Sequence, residues 1–213
     1  MKAIYGEAHL VFSCSRAGRP SDGCFSTRSP LARFVFQCQD RQFRITVKQR
    51  IGHDLWMESD LSFAGDREPL LVRAWALQER LLARRVVHYT STELVWECRT
   101  HTRCECSGMA RPRPSPSDHY PAGISLKPTF DHQLMRQGSL DHKLVQWYSI
   151  VRQYMYRRLS VDSDRLVALS GIANHLSSLK MGRYLAGIWE ASLPDALGWA
   201  VCHVCPQVGE VRS

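Results

Sequence analysis

Thiols and imidazoles at short spacing are the side chains here most suited to chemistry. Cys98, His101, Cys104 and Cys106 fall within nine positions, and Cys202, His203 and Cys205 form a second group near the C-terminus. Such a set can hold zinc tetrahedrally. Against this, Cys104 and Cys106 are closer than in the usual zinc knuckle, and Cys98 has a sufficient role as the end of a strand. The preferred reading is therefore no metal and no cofactor, with zinc on Cys98, His101, Cys104 and Cys106 as the alternative. A nucleophile with a base is a second possibility, but no Gly-x-Ser-x-Gly elbow frames one. No Walker sequence and no Gly-x-Gly-x-x-Gly occurs, so a phosphate loop is not indicated. The third cluster is charged: Arg73, Glu79, Arg85 and Glu97. At the join of a helix and a hairpin such groups are expected to pair and fix the pose, since buried charges need partners.

The elements that must position these groups lie between Pro69 and Cys98. Leu70, Ala74, Leu77 and Leu81 recur at helical spacing, widened by Leu71, Trp75 and Leu82, with Pro69 just ahead. This predicts a helix over 70–82. Val86-Val87-His88-Tyr89 and Leu94-Val95-Trp96-Glu97-Cys98 are β-branched and aromatic, and a polar Thr90-Ser91-Thr92-Glu93 separates them. They predict a β-hairpin, with Leu94, Trp96 and Cys98 on one face and Val95 and Glu97 on the other.

Elsewhere the patterns are shorter. Residues 9–13 read as a strand, and 33–38 and 43–48 as a hairpin, the second strand half-exposed by its alternation. Residues 49–68 read as a loop. Five prolines between Arg99 and Asp131 predict an irregular insertion at about 107–131. From Ser139, a plausible N-cap, Leu140, Leu144, Trp147, Tyr148, Val151, Met155 and Leu159 form one helical stripe, with Arg152, Arg157 and Arg158 off it. A further helix from about Ser163, capped by Asp162 or Ser163, carries Leu166, Leu169, Ile172, Ala173, Leu176 and Leu179.

Several of these strings closely resemble the fungal heterokaryon-incompatibility (HET) domain. The first is Arg73-x-Trp75-x-Leu77-Gln78-Glu79-x-Leu81-Leu82, followed by Arg85-Val86-Val87-His88-Tyr89 and Glu93-Leu94-x-Trp96-Glu97-Cys98. Others are Asp164-Arg165-Leu166-x-Ala168-Leu169-Ser170-Gly171 and Tyr184-Leu185-Ala186-Gly187-Ile188-Trp189. The start, Met1-x-x-Ile4-Tyr5-x-x-Ala8, resembles the middle of that domain. Its Leu-Ser-Tyr-x-Trp-Gly and Trp-Ile-Asp-x-Leu-Cys-Ile-x-Gln motifs, expected ahead of this point, are not in the sequence. The resemblance therefore implies a partial domain over 1–200 with a tail at 201–213, and an uncovered sheet edge. It implies an α/β (or α+β) fold: a small mixed sheet, a β-hairpin and several packed helices. In function it implies a module of non-self recognition and programmed cell death, acting by assembly with protein partners or itself. The alternative it carries is a remnant of a TIR-like NAD-cleaving enzyme, for which Glu79 is the one motif acid to nominate. Enzymatic activity stays open, with the balance against it.

Composition sets the outer bounds. The chain has 213 residues, 44% hydrophobic and 23% charged, enough for one domain with a core. The net charge is +8, but the arginines are scattered rather than run together, which disfavours nucleic acid. No apolar window is long enough for a membrane span and no signal peptide is visible, so the default compartment is cytoplasmic. Eight cysteines in that compartment are expected to be reduced thiols rather than a disulfide framework.

Overall fold

The computed structural model describes residues 2–27, 31–39, 41–47, 67–108, 127, 130 and 132–198. Most of the loop expected at 49–68, most of the proline-rich insertion, Trp199 and the 201–213 tail with Cys202, His203 and Cys205 lie outside them.

The chain is an α/β or α+β protein built on a four-stranded mixed sheet. After a short helix α1 (Lys2–Glu7), β1 (Val11–Ser13) pairs in parallel with β4 (Arg85–Tyr89). β5 (Leu94–Cys98) and β6 (Thr102–Cys104) then extend the sheet antiparallel. The expected hairpin is thus present, in the register Val86↔Glu97 and His88↔Val95. That register puts Val86, His88, Val95 and Glu97 on one face, and all four are buried. Leu94 and Trp96 lie on the opposite face and are half-buried.

Helix α2 (Ala74–Leu82) covers the buried face, and it begins later than the sequence predicts. Pro69–Val72 forms a 3-10 turn instead, and Arg73 is extended (φ −80°, ψ 132°). The cause is a bridge to a distant strand-like residue: the Ala74 amide donates to the Arg158 carbonyl (2.9 Å) and the Arg158 amide to Val72 (2.7 Å). A continuous helix would have to give up both bonds.

Two long helices complete the core. In α4 (Leu140–Met155), which follows the short α3 (His132–Gln137), Ser139 is the N-cap and accepts from the His142 amide at 3.2 Å. Of the expected stripe, Trp147 is buried and Leu144, Val151 and Leu159 pack against the core. Gln146, Trp147, Ile150 and Tyr154 are buried, whereas Leu140, Tyr148 and Met155 face solvent, Met155 at 71%. Polar anchors set that phase. The Trp147 indole donates to the Gly187 carbonyl (2.9 Å) and the Tyr154 hydroxyl to the Arg165 carbonyl (2.6 Å). Helix α5 (Arg165–Leu176) buries Leu169, Ile172, Ala173 and Leu176 as expected, but Leu166 is exposed. Its N-cap position is Asp164, preceded by a 3-10 turn, and no side chain caps it.

Beyond α5, β7 (Tyr184–Leu185) and β8 (Ile188–Trp189) form a tight hairpin. Its turn needs Ala186 and Gly187 at positive φ (51° and 108°), the second tolerated because glycine has no Cβ. Trp189 is fully buried against Trp147, their rings 5.7 Å apart and edge-on.

The hairpin of β2 (Ala32–Cys38) and β3 (Arg41–Val47) is different: every residue in it is exposed. Phe34 pairs with Ile45 and Phe36 with Phe43, so these four and Val47 share one face. Arg41, opposite Cys38, lies on that same face, and Arg33, Val35, Gln37, Gln42, Arg44 and Thr46 occupy the other. Among the described residues no helix is long and apolar enough to cross a membrane.

The expectation of uniformly reduced thiols is corrected at one pair. Cys14 and Cys24 are joined by a disulfide, with Cα atoms 4.8 Å apart. The turn at Pro20–Asp22 folds the loop back, a local closure that compartment reasoning cannot see.

Candidate functional site

Beneath α2 the sheet carries a buried polar cluster. From β5, Glu97 projects inward and is 0% exposed; Arg80 of α2 meets it with two bonds of 2.7 Å, Nε to Oε2 and Nη2 to Oε1. This paired geometry is the strongest form of an arginine–carboxylate contact. The expected network of Arg73, Glu79, Arg85 and Glu97 is therefore redistributed. Glu97 takes Arg80, one turn along the helix from Leu77 and on the sheet-facing side. Arg85 lies beyond the edge of the cluster and donates to the His9 carbonyl (3.3 Å). Arg73 is exposed, and Glu79 is half-buried near it, with the Tyr5 hydroxyl as hydrogen-bond partner. Burial raises the Glu79 pKa above its usual value, while Tyr5 and Arg73 oppose the rise.

His88 joins the same cluster. Its Nε2 lies 3.2 Å from Glu97 Oε2 and its Nδ1 3.1 Å from Ser15 Oγ. Burial pushes the His88 pKa down to about 4, helped by the Arg80 and Lys127 charges and resisted by the bond to Glu97. A neutral ring then donates from Nε2 to Glu97 and accepts from Ser15 at Nδ1. Ser15, His88 and Glu97 thus line up as nucleophile, base and acid would, an arrangement sequence spacing did not reveal because β1 and β4 meet only in the fold. All three are buried, at 0%, 1% and 0% exposure, and the chain of bonds ties the segment after β1 to β4 and β5. Lys127, also buried, donates to the Arg80 carbonyl, and burial pushes its pKa down to about 7. Arg157, buried against the Leu71 carbonyl, is another cation that the sequence stripe had placed off the core.

The sign of the pH effect follows from His88. The unfolded ring takes a proton near its ordinary 6.5; the folded one refuses it until about 4. The stability it contributes is complete above 6.5 and falls as pH drops toward 4. Glu97, held well below the usual carboxylate range by Arg80 against the cost of burial, adds a loss of the same sign at lower pH. We expect urea unfolding to lose about 2 kcal/mol between pH 7 and pH 5. In His88→Gln that slope should flatten.

No family model, curated protein or solved structure matches this chain. What can be said of its motif positions comes from their contacts. The Trp75 indole donates to Asp164 Oδ2 at 3.3 Å, so the start of α2 is tied to the start of α5. Gly171 sits so close to Gln78 that a Cβ built there would lie 1.6 Å from Nε2. Arg165, beside Asp164, is exposed and 3.5 Å from Asp162. Gly187 and Trp189 are joined to Trp147 as described above.

The four candidate zinc ligands do not form one set. In the β5–β6 register Cys104 stands opposite Val95, three positions from Cys98, a separation of about 10 Å along the strand. Cys98 and His101 stay together at the closed end of that hairpin, Sγ to Nδ1 at 3.7 Å. Burial pushes the Cys98 thiol up, but hydrogen bonds from Thr100 and the His101 backbone outweigh it and leave the pKa below its usual value. At the open end Cys104 and Cys106 meet Glu93 instead. Burial, with Cys104 and Glu93 nearby, pushes the Cys106 thiol up to about 11.

Proposed function

We propose that this chain is a heterokaryon-incompatibility-type module of fungal non-self recognition and cell-death signalling that acts by self-association. The observation that carries this reading is where the motif residues spend their side chains. Trp75 holds Asp164, Gln78 packs on Gly171, and Glu97 holds Arg80. These contacts lock a helix to a hairpin and to α5, a scaffold's task. Buried Ser15, His88 and Glu97 give no substrate a path.

The β2–β3 hairpin supplies the surface for assembly. A two-stranded ribbon is marginal alone and gains from cover, and contiguous exposed apolar groups mark interaction sites. Phe34, Phe36, Phe43, Ile45 and Val47 are each 47–50% exposed. A second copy of this chain fits best. The overall +8 charge and the Arg33 and Arg44 side repel a like-charged copy, leaving the aromatic face, which carries Arg41 only at its turn end, as the place where two copies can meet. An acidic partner would choose the arginine side.

Sedimentation equilibrium tests this. The wild-type chain should show mass above 24.4 kDa that rises with concentration. Phe36→Asp should remain monomeric, and Gln37→Asp, on the opposite face, should behave as wild type. A monomer throughout, or equal loss from both substitutions, would remove self-association from the reading.

The TIR-like enzymatic alternative rests on Glu79. Its raised pKa and its position beside Tyr5 are compatible with an acid, and they are the observations favouring that reading.

A further inference from the structure

We infer that Glu93, Cys104 and Cys106 form a zinc site at the open end of the β5–β6 hairpin. Cys104 Sγ and Cys106 Sγ are 3.2 Å apart and Cys106 Sγ is 3.6 Å from Glu93 Oε1. One donor atom from each residue lies within 4.8 Å of the others. Tetrahedral zinc, with bonds of about 2.3 Å to sulfur and 2.0–2.2 Å to oxygen, asks for donor separations of roughly 3.4–3.8 Å. The Cys106–Glu93 separation already fits, and the two sulfurs need to part by about half an ångström.

The surroundings hold the ligands in place. Glu93 is 3% exposed, unusual for a carboxylate in a hairpin turn. Its backbone is fixed by Thr90, whose Oγ1 accepts from the Glu93 amide (3.0 Å) and whose hydroxyl donates to the Glu93 carbonyl (2.5 Å). The Cys106 amide donates to Glu93 Oε2 (2.9 Å), leaving Oε1 toward the sulfur. The Gly108 amide donates to Cys106 Sγ (3.4 Å), a bond that stabilises a thiolate. Two thiols beside a carboxylate suit a borderline-soft cation such as Zn²⁺, whereas Mg²⁺ and Ca²⁺ prefer all-oxygen shells. Binding exchanges two thiol protons for one Zn²⁺, released to solvent, with no change of oxidation state.

This set shares Cys104 and Cys106 with the zinc alternative drawn from sequence spacing, but replaces Cys98 and His101 with Glu93. The difference makes the test. The full chain, reduced and stripped with a chelator, is titrated with Co²⁺ and then Zn²⁺. One equivalent of Co²⁺ should give sulfur-to-cobalt charge-transfer absorption and tetrahedral d–d bands, displaced by Zn²⁺. Stoichiometric Zn²⁺ should raise the melting temperature of the wild type, and Mg²⁺ should not. Cys104→Ser and Cys106→Ser should each weaken binding at least ~100-fold, and Glu93→Gln about tenfold while keeping the charge-transfer band. Cys98→Ser and His101→Ala should leave binding unchanged. If wild type shows no thiolate–cobalt band, or if loss of Cys98 or His101 abolishes it while Glu93→Gln does not weaken binding, the site is wrong. The first of these outcomes uses the wild type alone, so misfolding of a variant leaves the inference open to refutation.

Discussion

Glu97→Ala should cost this protein about 3–5 kcal/mol, the price of stranding a buried arginine without its carboxylate. Arg80 and Glu97 are 7% and 0% exposed, and their two bonds are short and parallel. Lys127 and Arg157 are buried nearby and feel the Glu97 charge. Taking away the acid leaves these cations facing one another in a poorly solvated join. A domain of this size has about 5–15 kcal/mol in all, so the variant should unfold at much lower urea or fail to fold cooperatively. Glu97→Gln keeps the shape and part of the hydrogen bonding but loses the charge, and should fall between. The double change Arg80→Met with Glu97→Leu removes both charges and should recover most of the loss, because a buried pair is often matched by apolar groups of similar volume. Urea unfolding of Arg80→Met, Glu97→Leu and the double change closes a double-mutant cycle. Additive losses would mean that the pair does not hold helix to sheet.

Gly171→Ala should destabilise, against the ordinary trend for a helix. Gly171 lies inside α5 with no positive φ, where alanine is normally better by about 1 kcal/mol. Here the added Cβ would lie 1.6 Å from Gln78 Nε2 and 2.6 Å from its Cδ. Gln78 is 3% exposed, so its amide must swing within a packed interface. The expected cost is about 1–3 kcal/mol. Gln78→Ala opens the space, and in that background Gly171→Ala should be neutral or stabilising. Thermal unfolding of the four proteins reads the reversal directly. A stabilised single variant would show that α2 and α5 do not approach as closely as described.

The two residues of that contact lie 93 positions apart, and nothing in their local spacing links them. This marks the boundary of what the sequence could say. The β4–β5 hairpin was legible because alternation is a property of neighbouring residues: Val86 and His88 share one side of their strand, and Val95 and Glu97 one side of theirs, while the register that joins the two sides comes from the fold. The core of α5 was legible for the same reason. The partner of Glu97 was not, because choosing Arg80 over Arg73 or Arg85 depends on which side of α2 meets the sheet. The weak signal was there: Arg80 follows Leu77 by three and precedes Leu81 by one. The start of α2 was misplaced because Arg158, 85 residues on, pulls Arg73 out of the helix. In α4 Trp147 was legible, but Leu140, Tyr148 and Met155 were counted inward and Tyr154 was not, because the bond from its hydroxyl to the Arg165 carbonyl leaves no trace in spacing. Among the thiols, close spacing grouped four ligands that one strand register divides, and Glu93 carried no spacing signal at all.

Inducible expression of the whole chain in a filamentous fungus, with growth and cellular NAD followed in the same hyphae, tests the functional reading most directly. The expected result is growth arrest with NAD unchanged, retained in Glu79→Gln and lost in Phe36→Asp. Arrest accompanied by a fall in NAD, with both abolished by Glu79→Gln and neither by Phe36→Asp, would contradict it and make this chain an enzyme.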